Sequence, residues 1–278
     1  MVISRISIPE CLANVYYLSD THLEESVKKQ IPLPTKESVG DSGKTLMGLL
    51  GDIGWFQEDS YWELVLDCLE RFDYVVLILG NHEYHHEILQ EVPMKMRQTL
   101  EKRRQCHPSL ERAYFLENAV LEFENIRLFG STFWTKPTHT VFMRLNDRKY
   151  IQDNTYSNKV LSIQTIYDLN DRAFECLKEE LDASTKPLIV LSHHAPLPEC
   201  NGIGFENSQY TSAFINHAEE FMKPPMVAWL YGHTHQNMSF VKNGIYIGTN
   251  AWGYDKERMR APYELGKAYK GGVVGFSL

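Results

Sequence analysis

The chain has 278 residues, 43% of them hydrophobic and 23% charged, which suits one soluble globular domain with a sizeable core. Its formal net charge of −8 lacks the basic excess expected of a nucleic-acid binder. Five widely spaced cysteines without a CxxC pair (Cys11, Cys68, Cys106, Cys176 and Cys200) argue against a disulfide framework and a zinc-thiolate site, and free thiols are expected. The apolar runs are strand-length and charge-flanked, and no charged segment followed by an apolar one opens the chain. Neither a membrane span nor a signal peptide is therefore expected, and the expected compartment is the cytoplasm. The reading is a single domain over residues 1–278.

In chain order, a first strand over residues 15–18 runs into Asp20-Thr21-His22. Residues 23–44 are polar and carry Pro32, Pro34, Gly40 and Gly43, the composition of an irregular connection. A strand over 46–50 leads into Gly51-Asp52. Trp62, Leu64, Val65, Leu66, Cys68 and Leu69 place a helix over 61–71, and a strand over 74–79 completes a β-α-β unit that ends in Gly80-Asn81-His82-Glu83. Residues 86–105 read as a helix that Pro93 either splits or starts, and its cations from Lys95 to Arg104 fit an exposed helix face. Strands over 119–123 and 126–134 flank a Glu124-Asn125 turn. A helical period then runs over 157–181 through Val160, Leu161, Ile163, Ile166, Leu169, Ala173, Phe174, Leu177 and Leu181. Strands over 188–191 and 226–231 lead into Ser192-His193-His194 and Gly232-His233-Thr234-His235. Lys242-Asn243-Gly244 marks a hairpin between 239–241 and 245–247, and a last strand is expected over 272–276.

Five apolar runs thus end in short polar motifs. In an open α/β sheet, ligands bind in the crevice outside the carboxyl ends of the strands, so residues far apart in sequence converge there. An extended backbone would put Asp20 and His22 on one side of the chain, and likewise His233 and His235, because strand side chains alternate with period two. Carboxylates, imidazoles and an amide together suit Mn, Fe or Zn better than Ca, which prefers all-oxygen coordination. Asp52 has no partner carboxylate nearby in sequence and suits a bridging position, since each of its oxygens can face one ion. One strand-end histidine is more often a hydrogen-bonded structural residue than a ligand. The conjunction of the five motifs carries the metal reading.

In the pattern D-x-H (Asp20, His22), G-D (Gly51-Asp52), G-N-H-[DE] (Gly80 to Glu83), H (His193) and G-H-x-H (Gly232 to His235), the chain resembles the calcineurin-like metallophosphoesterase superfamily. The resemblance implies a four-layer α/β/β/α sandwich, two mixed sheets flanked by helices. It implies a first metal held by Asp20, His22, Asp52 and His235, and a second held by Asp52, Asn81, His193 and His233. These cofactors would be two divalent or mixed-valence transition-metal ions, Mn or an Fe/Zn pair. The implied activity is a metal-dependent phosphohydrolase that cleaves a phosphomonoester or phosphodiester by attack of a metal-bound hydroxide, with His82 as general acid. Leu79 rather than Arg precedes Gly80, and Gly51-Asp52-Ile53-Gly54-Trp55 departs from the G-D-x-V-D-R-G form, so the phosphate-binding arginines of the protein Ser/Thr phosphatase branch are missing from these motifs. The phrases 17–24 and 81–84 are more similar to small phosphohydrolases of bacteria and protists, whose substrates are diverse.

The remaining candidates carry less. Ser192 lacks the G-x-S-x-G context of a nucleophile and is expected to be structural. Gly43-Lys44-Thr45 resembles the end of a Walker A loop, but Ser38 stands where its first glycine is required. His194 is expected beside the ligands or facing substrate. His85 and His86 read as a rim pair or a helix start, and Asn250 and Tyr254 as site neighbours or turn residues. The expected partner is a small phosphorylated substrate, with neither nucleic acid nor membrane, selected by residues 135–155 and 197–214. A nuclease and a non-catalytic scaffold are the alternatives; a nuclease would need a basic groove, and a scaffold would have lost catalytic residues that this chain retains.

Overall fold

The computed structural model describes residues 3–25, 31–39, 43–157, 159–202, 205, 208–254, 264 and 267–270. Its strands are β1 (Ser4–Ser7), β2 (Leu12–Leu18), β3 (Lys44–Leu50), β4 (Tyr74–Ile78), β5 (Ala113–Phe115), β6 (Ala119–Glu122), β7 (Arg127–Ser131), β8 (Leu188–Ser192), β9 (Met226–Tyr231), β10 (Ser239–Lys242), β11 (Ile245–Thr249) and β12 (Ala268–Lys270). The helices are α1 (Lys36–Val39), α2 (Asp59–Arg71), α3 (Val92–Cys106), α4 (His139–Phe142), α5 (Asn146–Tyr150) and α6 (Ile163–Ala183), with short 3-10 turns between.

Alternate residues of the inner strands face different cores. In β4, Val76 and Ile78 pack between the sheets with Leu50, Ile189, Leu191 and Leu230. Val75 and Leu77 face the other way, onto Val65, Leu69 and Met96 of α2 and α3. In β9, Ala228 and Leu230 point between the sheets, whereas Trp229 and Tyr231 pack outward with Ala173 and Leu177 of α6. Burial on both faces is why these strands read as unbroken apolar runs rather than as alternating ones. The layers are therefore helix, sheet, sheet, helix, as the resemblance implies.

One sheet has seven strands in the order β1-β6-β7-β8-β9-β11-β10, and the other has five, β12-β2-β3-β4-β5. Both are mixed. β2, β3 and β4 run parallel to one another, as do β8 and β9, so the five motifs leave their sheets at the carboxyl ends of neighbouring strands. α2 connects β3 to β4 as the expected β-α-β unit.

Some boundaries differ from expectation. α3 starts at Val92 with Pro93 in its first turn, where the missing N–H costs no helical bond. Residues 86–91 lie outside it, and His86 has a positive φ of 65°. α6 starts at Ile163 rather than 157 because the Ser162 hydroxyl accepts the Gln164 N–H at 3.1 Å and caps it. Val160 belongs instead to a bridge with Gln152. β7 stops at Ser131, and Phe133 beyond it has φ 51°. The β10–β11 hairpin turns through Asn243 and Gly244, both with positive φ, as the Asn-Gly pair indicates. β1 is an exposed edge strand, Ser-Arg-Ile-Ser, without a hydrophobic pattern to betray it. The strand expected over 272–276 lies outside the described residues, while β12 pairs antiparallel with β2.

Other expectations are resolved by partners. The cations of α3 are held locally, Lys95 by Glu87 and Glu91 and Arg103 by Asp59. Gly43-Lys44-Thr45 enters β3 rather than a helix, and Lys44 lies 3.3 Å from Asp73. The five cysteines are free thiols, three of them buried. Among the described residues no helix is long and apolar enough to cross a membrane.

The sheets meet closely at Gly130 of β7, where an added Cβ would lie 2.5 Å from Leu116 Cβ and 2.6 Å from Ile78 Cδ1. Gly130→Ala is expected to destabilise the fold by about 1–3 kcal/mol through overpacking. Urea unfolding checks this; an unchanged midpoint would show that the inter-sheet core yields there.

Candidate metal centre

Five of the candidate ligands have left-handed backbone: Asp20 (φ 56°), His22 (φ 45°), Asp52 (φ 51°), His233 (φ 69°) and His235 (φ 50°). The extended geometry expected for Asp20-Thr21-His22 and His233-Thr234-His235 is therefore not what brings these side chains together. Left-handed backbone costs a non-glycine residue roughly 1–2 kcal/mol, and such strain persists only where surrounding contacts hold it. Here the loops hold one another. Asp20 and His22 donate backbone N–H bonds of 3.0 Å to the carbonyls of Gly51 and Asp52. The His233 N–H donates to the Asp20 carboxylate at 3.0 Å.

The side chains form two clusters that meet at Asp52. In the first, His235 Nε2 is 3.2 Å from Asp20 Oδ1 and 3.2 Å from His22 Nε2. In the second, His193 Nε2 is 3.0 Å from Asn81 Oδ1 and 3.1 Å from His233 Nδ1. Asp52 Oδ2 lies 3.9 Å from His22 Nε2, and its Oδ1 lies 3.5 Å from His193 Nε2. The ligand atoms of Asp20, His22 and His235 fall within 4.8 Å of one another, as do those of Asp52, His193 and His233. Asp20, His22, Asp52, Asn81 and His193 are buried. Two imidazole nitrogens facing each other at hydrogen-bond distance, one buried and one partly buried in each pair, need a proton or a cation between them. With carboxylate and amide oxygens converging on the same points, the donor set fits a transition-metal ion.

Residues 14–237 match the family-level profile described as calcineurin-like phosphoesterase. The chain belongs to this family. It is also 30% identical over 263 residues to the uncharacterized protein L509 of Acanthamoeba polyphaga mimivirus, covering 87% of this chain and 91% of that one. Among solved structures, the phosphopantetheinyl hydrolase PptH of Mycobacterium tuberculosis shares the fold, with a TM-score of 0.62 at 16% identity over 92% of this chain and 95% of that one.

Three carboxylates unassigned from the sequence support the candidate ligands of this calcineurin-like phosphoesterase. Glu83 accepts backbone N–H bonds from Gly80 (2.7 Å), Asp52 (2.9 Å) and Ile53 (2.7 Å), locking two motif loops together. Gly80 permits that approach, since a Cβ there would sit 2.1 Å from Asp52 Oδ1. Glu24 Oε1 lies 3.2 Å from His22 Nδ1 and 2.9 Å from His82 Nδ1, aiming the other nitrogen of each ring towards Asp52. Asp147 of α5 accepts from Asn81 Nδ2 at 2.9 Å and from His85 Nε2 at 2.8 Å, which turns the Asn81 oxygen towards His193.

These charges shift the protons. Burial lowers the His82 pKa, but Asp52 and Glu24 outweigh it and raise it to about 10. Burial likewise opposes charge on His193, whose pKa the Asp52 carboxylate still lifts to about 9. His194, with burial and the His193 charge acting together, falls to about 4, and His233 falls well below the usual imidazole range by burial and its two histidine neighbours. Burial and the Asp52 charge push the Glu83 carboxyl up to about 7. Burial disfavours the Glu24 charge, but its bonds to His22 and His82 hold it down at about 2.

Every candidate ligand named from the sequence lies in these clusters, and His82 lines the cleft above them. His194 is buried behind them, its ring 4.3 Å from that of His233 and its Nδ1 3.2 Å from the Thr132 carbonyl. His85 lines the cleft, while His86 packs on Trp55 and Tyr150, so neither starts a helix. Ser192 accepts from the Trp229 indole and donates to the His194 carbonyl, a structural position. Asn250 bonds the Tyr17 and Glu264 backbone away from the cleft. Tyr254 stacks on His22 with ring centroids 4.4 Å apart. Glu24 and Glu83 stand in or beside the motifs and were open to detection; Asp147 sits far from any motif and carried no signal.

Glu83→Ala would strip the N–H groups of Gly80, Asp52 and Ile53, and the longer-bonded one of Gly54 at 3.4 Å, of their acceptor. A loss on the order of 3 kcal/mol is expected, at roughly 1–3 kcal/mol per unsatisfied group less the relief of repulsion with Asp52. Hydrogen exchange should quicken at the amides of Gly80, Asp52 and Ile53; protection unchanged at all three would show that Glu83 is not the clamp.

Proposed function

We propose that the protein is a metal-dependent phosphohydrolase with a dinuclear centre, acting on a small phosphomonoester or phosphodiester. Asp20, His22, Asp52 and His235 would hold one cation and Asp52, Asn81, His193 and His233 the other, as Mn or an Fe/Zn pair. The observation that carries this reading is Asp52, whose two oxygens face different clusters. Two such cations supply Lewis acidity at the phosphoryl oxygens and an activated water.

The chain's own residues then have distinct tasks. Asp52 fixes the separation of the clusters and accepts the His82 backbone N–H at 2.9 Å. Asn81, oriented by Asp147, presents its amide oxygen to the second cluster. Glu24 holds His82 through Nδ1, leaving Nε2 in the cleft 4.0 Å from Asp52 Oδ2. Nε2 faces the cleft, and as an imidazolium His82 would pass the proton on that nitrogen to the departing ester oxygen. General acid catalysis of this kind contributes about 10²–10⁴ in rate.

Elemental analysis of the purified protein is expected to find two transition-metal ions per chain. Asp52→Ala should lose both, and Asp20→Ala chiefly one. Retention of both metals by the Asp52 variant would remove its bridging role, and a metal-free wild type active in chelator would overturn the function.

His82→Ala should keep its metals but lose roughly 10²–10⁴ in turnover on alkyl phosphates, as expected for loss of a general acid. On an activated aryl phosphate, whose leaving group hardly needs a proton, the loss should be much smaller. Equal losses on both would assign His82 to orienting or electrostatic stabilisation instead of proton transfer.

A further inference from the structure

The cleft above the two clusters has a volume of about 350 Å³ and two unlike halves. Its floor is the polar ligand set. Its walls carry an apolar arc, Leu145, Phe205, Ala213, Phe214 and Tyr254, drawn from three separate segments of the chain, beside polar side chains at Asn146, Thr234 and Gln236. The arc begins at the clusters themselves. Phe214 stacks on His233 with ring centroids 4.6 Å apart and planes at 27°, and Tyr254 stacks on His22 at 21°. Leu145 immediately precedes α5, two residues from Asp147, which holds Asn81. Phe205 is 48% exposed and adds its ring to the rim of this arc.

A phosphoryl group seated against the histidines and Asp52 would have the apolar arc within reach of its ester substituent, since Phe214 and Tyr254 stack directly on His233 and His22. An apolar substituent gains by leaving water there, whereas a hydroxyl-rich or charged one loses hydration. The volume lies at the lower end of the range for small-molecule sites, which limits the substituent to a compact one. We infer that this cleft takes phosphate esters of compact, uncharged, apolar alcohols, aryl or short alkyl, and that Leu145 and Phe214 set this preference. The inference rests on the phosphohydrolase reading and adds the class of substrate to it.

Two measurements test it on the intact protein supplied with Mn. In calorimetry, phenylphosphonate is expected to bind about tenfold more tightly than methylphosphonate. In steady-state kinetics, benzyl phosphate is expected to exceed glycerol 3-phosphate in kcat/KM by tenfold or more, the two leaving alcohols being of similar acidity. Leu145→Ala, whose side chain lies outside both clusters, should shrink the two ratios to about threefold or less. Phe214→Leu, which keeps an apolar contact with His233, should lower the phenyl preference in particular. Metal content measured on each variant separates a lost wall from a lost cation.

Turnover of both esters without preference for the apolar one, or ratios unmoved in both variants, overturns this inference and leaves the phosphohydrolase reading standing. Failure of the metal-loaded protein to hydrolyse either ester or bind either phosphonate overturns both.

Discussion

The Glu83 carboxylate, with the N–H groups of Gly80, Asp52 and Ile53 donating to it, is the contact on which the site's geometry depends. It is a buried charge beside another, and the Asp52 carboxylate makes it costly to keep ionised. The backbone donors reduce that cost without cancelling it, since a carboxylate accepting several N–H bonds is stabilised in its charged form while burial and Asp52 still raise its pKa. The geometric result matters more than the energy. The loops after β3 and β4 are held so close that a methyl group at Gly80 would overlap Asp52, and the orientation of Asp52 towards both clusters follows from that closeness. The left-handed φ of 51° at Asp52 is tolerable because the same carboxylate fixes its N–H.

Much of this arrangement was legible in the sequence, for a physical reason. Strands buried on both faces carry few polar residues, because each needs a buried partner, so the switch from Tyr74–Ile78 to Gly80-Asn81-His82-Glu83 marks the point where the chain leaves the sheet. The same holds at Leu50, Ser192 and Tyr231. What the sequence did not reveal is how the side chains converge. Period-two alternation predicts that Asp20 and His22 share a side, and they do share a cluster, but through left-handed turns clamped by Gly51 and Asp52 carbonyls on the neighbouring strand end. Local pattern has no access to such a long-range bond. The displaced start of α6 is a milder case, in which apolar residues at Val160 and Leu161 continue the helical period by chance and the Ser162 cap decides.

The histidines show how one set of carboxylates imposes opposite demands on neighbouring rings. His193 and His233 lie 3.1 Å apart, and charge on both would be strongly repulsive. The structure resolves this by giving the proton to His193, beside Asp52, and denying it to His233 and to His194 behind it. His233 Nδ1 keeps the lone pair a metal would use, while His193 Nε2 would have to give up its proton, so protonation and metal binding compete for the same atoms. Glu24 plays a different part. By bonding the Nδ1 of both His22 and His82, it fixes which nitrogen of each ring faces the cleft, a carboxylate-histidine arrangement of the kind that orients metal ligands.

The candidate ligands and the wall proposed to select the substrate occupy different parts of the chain, but they are not insulated. The candidate ligands come from the ends of inner strands, where both sheets enforce position. The apolar wall comes from connections, Leu145 between α4 and α5 and Phe214 beyond β8, whose lengths and side chains the sheets constrain far less. Yet α5 also supplies Asp147, and its bond to Asn81 reaches the second cluster directly. A change that repacks Leu145 therefore bears on the same short helix that keeps the Asn81 oxygen aimed at His193. A substitution in the wall thus tests the proposed selectivity only where the Asp147–Asn81 bond stays intact, a condition that the metal content of the Leu145 variant reads directly.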